Sequence, residues 1–438
     1  MLMKKSLLVL SIIVISLAMT GSLCFGAGFA LYEASAKGNA LGGLTGSADC
    51  PSAMFYNPAG ITQLEGLQLS GGGIVILPTA DITTKNPYTG VTQDTSMKDN
   101  TWVIPHLYAT YQAFESVWFG LAVFSRFGLG SEYDDTWWGR YNNYKAVIKT
   151  VTANPNVAWK INDVISVAGG LDVMKFDLQL RNKINASLFT PAPNLNPASS
   201  DYDVDSSLSG DSYGVGYNLA VHIRPLDWLR VGVSYRSKVK QDVKGSVDFV
   251  REGAMTGYLP AEWFNSTGAN GSITLPDMFF LGVSLKPIER LMVELGGTYT
   301  RWSSYDQLTL NYDRPLVEIP GHLSLSSATI PKNWKDVWRF NIGVQYQTTS
   351  WLDLRVSYLY DATPIPGSSI DYIVPADDRH ILGFGAGFHW QSWDFDISYN
   401  YLMVEDRDVT ARPLDGIYDG RIEDGDSHFI GLTVSYRF

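Results

Sequence analysis

The chain has 438 residues with 33 Lys and Arg against 44 Asp and Glu, a formal net charge of −11. That balance argues against binding nucleic acid or another polyanion, which draws its affinity from basic patches. Aromatic residues at 13%, 41 glycines and only 18% charged residues are unusual for a soluble domain of this size.

The first segment reads Lys4 and Lys5, an apolar run from Leu7 to Met19, then small residues up to Gly26. This order predicts a secretory signal peptide over 1–26, and the run is too short to span a membrane as a helix. Cys24 falls inside it, and Gly21 and Leu23 before it fit a lipid-attachment box poorly. Cys50 is then the one cysteine of the mature chain, so no intramolecular disulfide is available.

Residues 27–66 are rich in Gly, Ala and Ser and lack strict alternation. The segment is too small to build its own core, so it reads as a plug, or hatch, that borrows burial from a larger body. Its centre is Phe55-Tyr56-Asn57-Pro58-Ala59-Gly60.

From 67 to 438 the chain alternates apolar and polar residues with period two, most cleanly along Trp393-Asp394-Phe395-Asp396-Ile397-Ser398-Tyr399-Asn400-Tyr401. Such strands have one apolar and one polar face. Connections fall into two alternating classes. Short ones lie at 113–115, 160–163, 225–227, 287–289, 348–350 and 391–392. Long ones lie at 81–100, 127–144, 182–211, 251–271, 311–332, 362–376 and 405–423. Six short turns and seven long loops predict an all-β fold, a 14-stranded antiparallel transmembrane β-barrel with both ends on the short-turn side, as in the bacterial outer membrane. Trp118, Trp159, Trp228, Trp351, Trp390 and Trp393 lie near the short turns, where an interfacial aromatic girdle belongs. The terminal strand Ile430-Gly431-Leu432-Thr433-Val434-Ser435-Tyr436-Arg437-Phe438 ends on the aromatic residue that closes many such barrels.

Ala27-Gly28-Phe29, Ser47-Ala48-Asp49 and Asn57-Pro58-Ala59 resemble the N-terminal hatch of the FadL family, the channels for long-chain fatty acids and other hydrophobic compounds. The likeness continues through Trp138-Gly139-Arg140-Tyr141, Gly232-Val233-Ser234-Tyr235-Arg236-Ser237, Thr274-Leu275-Pro276-Asp277-Met278 and Trp334-Lys335-Asp336-Val337-Trp338-Arg339. The resemblance implies a monomeric outer-membrane barrel closed by the hatch, with ligand captured at external loops and then held in an interior pocket. It also implies release sideways into the membrane through a gap at a kink in the third strand. Fatty acids and monoaromatic hydrocarbons both remain open as substrate; an outer-membrane lipid-modifying enzyme is the reading from a different class.

The physical problem is to carry an apolar molecule past the charged lipopolysaccharide layer into the bilayer. Apolar area buried at about 25 cal/mol per Å² is the driving force for holding such a ligand. Apolar residues on the inward face are therefore candidates for ligand binding: Trp118, Phe124, Met174, Phe176, Met278 and Phe280; packing against the hatch would explain them equally. The inward arginines Arg126, Arg230, Arg236 and Arg339 are all candidates for a ligand carboxylate, Arg339 being the one chosen for test; pairing with acidic neighbours is the alternative. External capture is assigned to Leu188, Phe189, Met255, Leu259, Trp263 and Phe264, which alternatively tie the loops down. Glycine inside a strand marks a bend, so Ser125, Gly128 and Gly130 are the candidate kink. Asn57-Pro58-Ala59 is expected beside Gly128, covering the gap. Gly383-Phe384-Gly385-Ala386-Gly387 reads as a strand face without side chains. No catalytic motif, metal-ligand spacing or cofactor signature is present.

Overall fold

The computed structural model describes residues 28–319 and 323–438, so the signal peptide expected over 1–26 and His322 lie outside the described residues. From Leu67 onward the alternation is realised as fourteen strands. They are β1 (Leu67–Lys85), β2 (Trp102–Phe114), β3 in two pieces (Val117–Phe124 and Gly128–Glu132), β4 (Lys145–Lys160), β5 (Ile165–Asn185) and β6 (Asp203–Leu226). Next come β7 (Leu229–Arg236 and Val239–Arg251), β8 (Thr267–Leu275 and Met278–Ile288), β9 (Leu291–Thr300 and Gln307–Tyr312) and β10 (Ser327–Pro331 and Val337–Thr349). The last four are β11 (Leu352–Asp361), β12 (Arg379–Trp390), β13 (Trp393–Val404) and β14 (Gly420–Arg437). Successive strands pair antiparallel, and β14 returns to β1 from Gln68↔Arg437 to Thr84↔Gly420, closing the barrel. Closure leaves no sheet edge for lipid to meet.

The six tight turns fall where the residue pattern puts them, and the C-terminus lies on their side, with Phe438 N donating to Leu67 O at 3.0 Å. The outer surface carries a band of exposed apolar side chains, Leu219 and Ile430 each more than half exposed. A soluble protein does not expose such a band; a hydrocarbon layer covers it. Trp159, Trp228, Trp351 and Trp390 are exposed beside the short turns as a girdle, but Trp118 is 3% exposed and points inward.

The long loops are shorter than expected. β5 and β6 have 21 and 24 residues and stay paired out to Asn185↔Asp203, whereas a membrane strand needs only about 9–11. Residues 182–185 and 203–211 are therefore ladder, not loop. Their polar composition reflects a sheet that has left the membrane, and composition alone does not separate that from a loop.

Residues 28–66 fill the lumen. A short helix, α1 (Ala36–Leu41), is capped by Ser35, whose hydroxyl accepts from Gly38 N, and stopped by Gly42 in the left-handed region. A second turn of helix, α2 (Ala53–Tyr56), leads into a 3₁₀ segment, Pro58–Gln63.

Candidate functional site

The hatch is seated by backbone contacts that only a side-chain-free wall permits. A Cβ on Gly232 would stand 1.8 Å from Thr45 O, and one on Gly343 2.3 Å from Leu41 O. The glycine face of β12 serves the same end: a Cβ on Gly385 would meet that of Ala40 in α1. Glu294 on β9 accepts from Gly46 N at 2.7 Å and from Ser47 N at 3.0 Å, fixing the turn between α1 and α2.

Asn57 corrects one expectation. Its Oδ1 accepts from Ala59 N at 3.1 Å, and its Nδ2 donates to Thr45 O at 3.2 Å and to Val221 O of β6 at 3.0 Å. The motif Asn57-Pro58-Ala59 thus caps the 3₁₀ segment and docks it on β6, not beside Gly128. Asparagine suits a position that must start a helix and bond a neighbouring strand at once.

The segment at the bend is Phe29–Leu31. β3 leaves its ladder with β4 at Phe124↔Thr152 and rejoins at Gly128↔Lys149, so residues 125–127 face only 150–151. This one-residue excess is a bulge that bends the strand. Thr150 repairs the freed backbone: its hydroxyl donates to Phe127 O at 2.7 Å and accepts from Phe127 N at 3.1 Å, and Ser125 Oγ donates to Thr150 O at 2.6 Å. On the lumen side the hatch tail completes the pairing. Leu31 N donates to Arg126 O and Gly128 N to Phe29 O, both at 2.8 Å, with Ala30 opposite Phe127.

Beyond the bend, Gly128–Glu132 pairs with β4 alone and Trp102–His106 of β2 with β1 alone. The wall between β2 and β3 is therefore open there. The opening is filled by the Trp102 indole, which lies where a Cβ on Gly130 would be, 2.3 Å from Cζ2, and is bounded above by Lys98 N donating to Glu132 O at 2.8 Å. The backbone breaks at 125–127; Gly130 provides room for the ring.

Three charges sit in the interior at this level. Asp172 on β5 is fully buried and accepts from Arg126 Nη1 at 3.0 Å and from Arg236 Nη1 at 2.8 and 3.1 Å. Arg236 also donates to the carbonyls of Met54 and Phe55 in α2, and Arg126 to that of Ser237 where β7 breaks. Arg339 lies over the Tyr32 ring at 4.2 Å, with Asp361 3.9 Å away.

Above the hatch runs a narrow apolar cavity enclosing about 720 Å³ of atom-free space, part of it open to solvent. Its wall includes Phe29, Leu129, Ile148, Phe176, Leu178, Leu180, Leu208, Val243, Ile273, Leu308 and Trp334, and one charged residue, Lys332. Of the inward residues singled out from sequence, Phe176 lines this cavity. Trp118 instead donates to Leu64 O at 2.6 Å, and Phe124 and Phe280 meet the Phe55 ring at 5.1 and 6.0 Å. Met174 and Met278 are fully buried in the same apolar cluster as the hatch. Arg339 does not line the cavity. Lys332, which sequence reasoning missed, is buried and paired with Asp371; it follows Ser327–Pro331 at the break in β10, with no periodicity to mark it.

Among the external residues, Phe189, Leu259, Trp263 and Phe264 pack into a small separate core with Leu316 and Val317. Met255 remains exposed and Leu188 half-buried.

Within the hatch, Lys37 Nζ lies 2.7 Å from Asp49 Oδ1. Burial pushes the Asp49 carboxyl up, but Lys37 outweighs it and the net shift is downward; for Lys37 the net shift is upward, Asp49 overcoming burial. A depressed carboxyl contributes stability above its unfolded pKa of about 4, lost as pH falls through the lower folded value. The raised ammonium contributes below its own unfolded value and is lost only in strong base. Hydrogen-exchange protection over residues 35–52, taken relative to the intrinsic rate at each pH, should therefore be flat from pH 5 to 8 and fall only in strong acid; a fall near pH 6 would show that another group controls the hatch.

Residues 17–438 match the sequence profile of the family described as outer membrane protein transport protein (OMPP1/FadL/TodX). The long-chain fatty acid transport protein of Escherichia coli K12 is 23% identical over 99% of this chain and 100% of its own. In fold, a Pseudomonas aeruginosa FadL homologue aligns over 94% of this chain and 99% of its own with a TM-score of 0.81 at 19% identity. The Pseudomonas putida toluene transporter TodX aligns over 94% and 98% with a TM-score of 0.66 at 16% identity. Family members are transport channels, not enzymes, and a closed barrel with a lipid-facing band belongs in the Gram-negative outer membrane. With the profile spanning hatch and barrel alike, this chain belongs to the FadL family of outer-membrane channels for hydrophobic compounds.

Proposed function

We propose that the substrate is a long-chain fatty acid, captured outside, held in the cavity above the hatch and released sideways between β2 and β3. The carrying observation is an apolar cavity with one buried cation, Lys332, in its wall. The acyl chain lies along Phe176, Leu178, Leu180 and Leu208, and the carboxylate shares Lys332 with Asp371. The fatty acid transport protein among the relatives supports the same reading. Met255 and Leu188 remain the external capture candidates.

Phe29 lines the cavity, and its carbonyl is bonded to the bend. Withdrawal of residues 29–31 exposes the open wall at Gly128–Glu132, and Trp102 swings aside to complete a lateral path. The hatch need not leave the barrel. The molecule works as a monomer, with the bilayer as acceptor.

A second reading has its own observation. The Phe29 ring sits among Phe127, Trp302, Tyr305 and Trp334 at centroid distances of 6.1, 4.8, 5.5 and 5.7 Å. A cage that holds a phenyl ring also suits a monoaromatic hydrocarbon displacing it.

Lys332→Met separates the two. Loss of a charged hydrogen bond should weaken palmitate binding by about 1.5–3 kcal/mol, leaving hexadecanol and toluene unchanged. Equal losses for acid and alcohol in titration calorimetry would remove the carboxylate role.

A further inference from the structure

The wall has a second interruption, far from β3 in sequence. β6 and β7 are paired up to Asn218↔Arg236 and again from Asp211↔Lys244, but between those points residues 212–217 and 237–243 have no register partners across this junction, although β5 still pairs with 212–217 and β8 with 239–243. At the lower margin Ser237 N donates to Tyr217 O at 2.8 Å and Ser237 Oγ accepts from Tyr217 N at 2.9 Å. β7 has sagged inward: a Cβ on Gly214 would stand 2.5 Å from Val239 Cγ1 and 2.6 Å from Lys240 O. In a membrane wall an unpaired stretch of backbone is tolerated only where protein, water or ligand covers it.

One side-chain contact spans the interruption. Ser212 Oγ donates to Gln241 Oε1 at 2.8 Å, and Gln241, fully buried, has its Nε2 without a partner among the described residues. A buried amide with an unused donor is costly where it stands. Just inside, the cavity wall includes Val243, from the unpaired stretch itself, and Phe176, the register partner of Ser212 on β5.

Outside, the same spot joins two environments. Tyr213 and Val215, 70% and 66% exposed, top the apolar band of β6. Lys238, Lys240 and Lys244 are exposed along β7, beside half-buried Lys175 on β5; Lys240 and Lys175 pair with Asp242 and Asp177, while Lys238 and Lys244 have no ion pair among the described residues. Cations over an apolar step suit a molecule with an anionic head and one acyl chain lying at the membrane interface.

We infer that the β6–β7 interruption is a lateral entry port, latched by Gln241, through which single-chain anionic amphiphiles pass from the outer-leaflet interface into the apolar cavity. The port is distinct from the opening between β2 and β3 and rests on the reading that the cavity holds ligand. Arriving chain parts Ser212 from Gln241, and the amide regains the bonding it lacks when closed.

The test uses the full chain with Cys50→Ser in vesicles and a diazirine-bearing palmitate as probe. Ser212→Cys with Gln241→Cys, oxidised, should slow labelling of Leu178 and Leu180 by at least about tenfold while the outward-facing Tyr213 and Val215 are still labelled, and reductant should restore the cavity labelling. Gln241→Ala, which needs no cross-link, should speed cavity labelling. Unchanged labelling rates in oxidised and reduced protein, or in Gln241→Ala, overturn the port. Absence of label at Leu178 and Leu180 at equilibrium in every form instead overturns the cavity assignment, so the two failures are told apart.

Discussion

A disulfide between Ala30→Cys and Phe127→Cys is expected to reduce fatty acid uptake to background while leaving ligand bound in the cavity. Ala30 and Phe127 are an antiparallel pair flanked by the bonds Leu31 N to Arg126 O and Gly128 N to Phe29 O. That makes them a non-hydrogen-bonded pair, whose close Cα and Cβ spacing falls within disulfide geometry. With Cys50→Ser there is no competing thiol among residues 28–438. If release requires the tail to withdraw from the bend, the oxidised protein binds labelled palmitate with wild-type affinity yet delivers none to the inner side, and dithiothreitol restores delivery. Wild-type uptake by the oxidised protein would mean that ligand leaves without moving residues 29–31. Because the cross-link pins only the first residues of the hatch, a loss of uptake cannot come from blocking the periplasmic mouth, which lies at the other end of the plug.

The parts legible in the sequence are those set by a single periodic rule. Alternation, the contrast between tight turns and long connections, and the position of Trp159, Trp228, Trp351 and Trp390 follow from one face meeting lipid and the other meeting the lumen. The glycine run 383–387 was readable for the same reason, since a bare strand face must receive something, and it receives α1. What escaped depends on contacts between distant segments. Nothing in Asn57-Pro58-Ala59 says whether its spare amide goes to β6 or β3. Phe29-Ala30-Leu31 looks like an ordinary mature start, and its role is conferred by a bulge a hundred residues later. Trp118, Phe124 and Phe280 stand inward as their register demands, yet whether an inward ring meets hatch or ligand depends on its depth, which alternation does not encode. Lys332 lies where β10 breaks, outside any pattern.

The second large effect is expected at Asp172. Two guanidiniums, Arg126 and Arg236, converge on this one carboxylate, and all three side chains are essentially inaccessible to solvent. Removing the shared partner leaves two buried like charges facing each other, and breaking a buried pair from one side costs about 3–5 kcal/mol. Asp172→Ala should therefore lower stability by about that amount, read from urea unfolding in lipid vesicles. Asp172→Asn keeps an acceptor and should lose less. The consequences also reach beyond the triad. Arg236 holds the carbonyls of Met54 and Phe55, and Arg126 holds that of Ser237 beside the β6–β7 interruption. Asp172→Ala should thus raise hydrogen exchange at three separated places: α2 in the hatch, residues 125–128 of β3, and residues 237–243 of β7. High salt should not mimic the effect, since buried charges are little screened. Replacing all three charges, with Asp172→Leu, Arg126→Met and Arg236→Met, should recover part of the global stability but not the local protection, because the three carbonyls then have no donor. Global stability within 1 kcal/mol of wild type for Asp172→Ala would mean that water enters and screens the triad. Restored protection in the triple variant would mean that packing, and not the guanidinium bonds, ties the hatch to both interruptions in the wall.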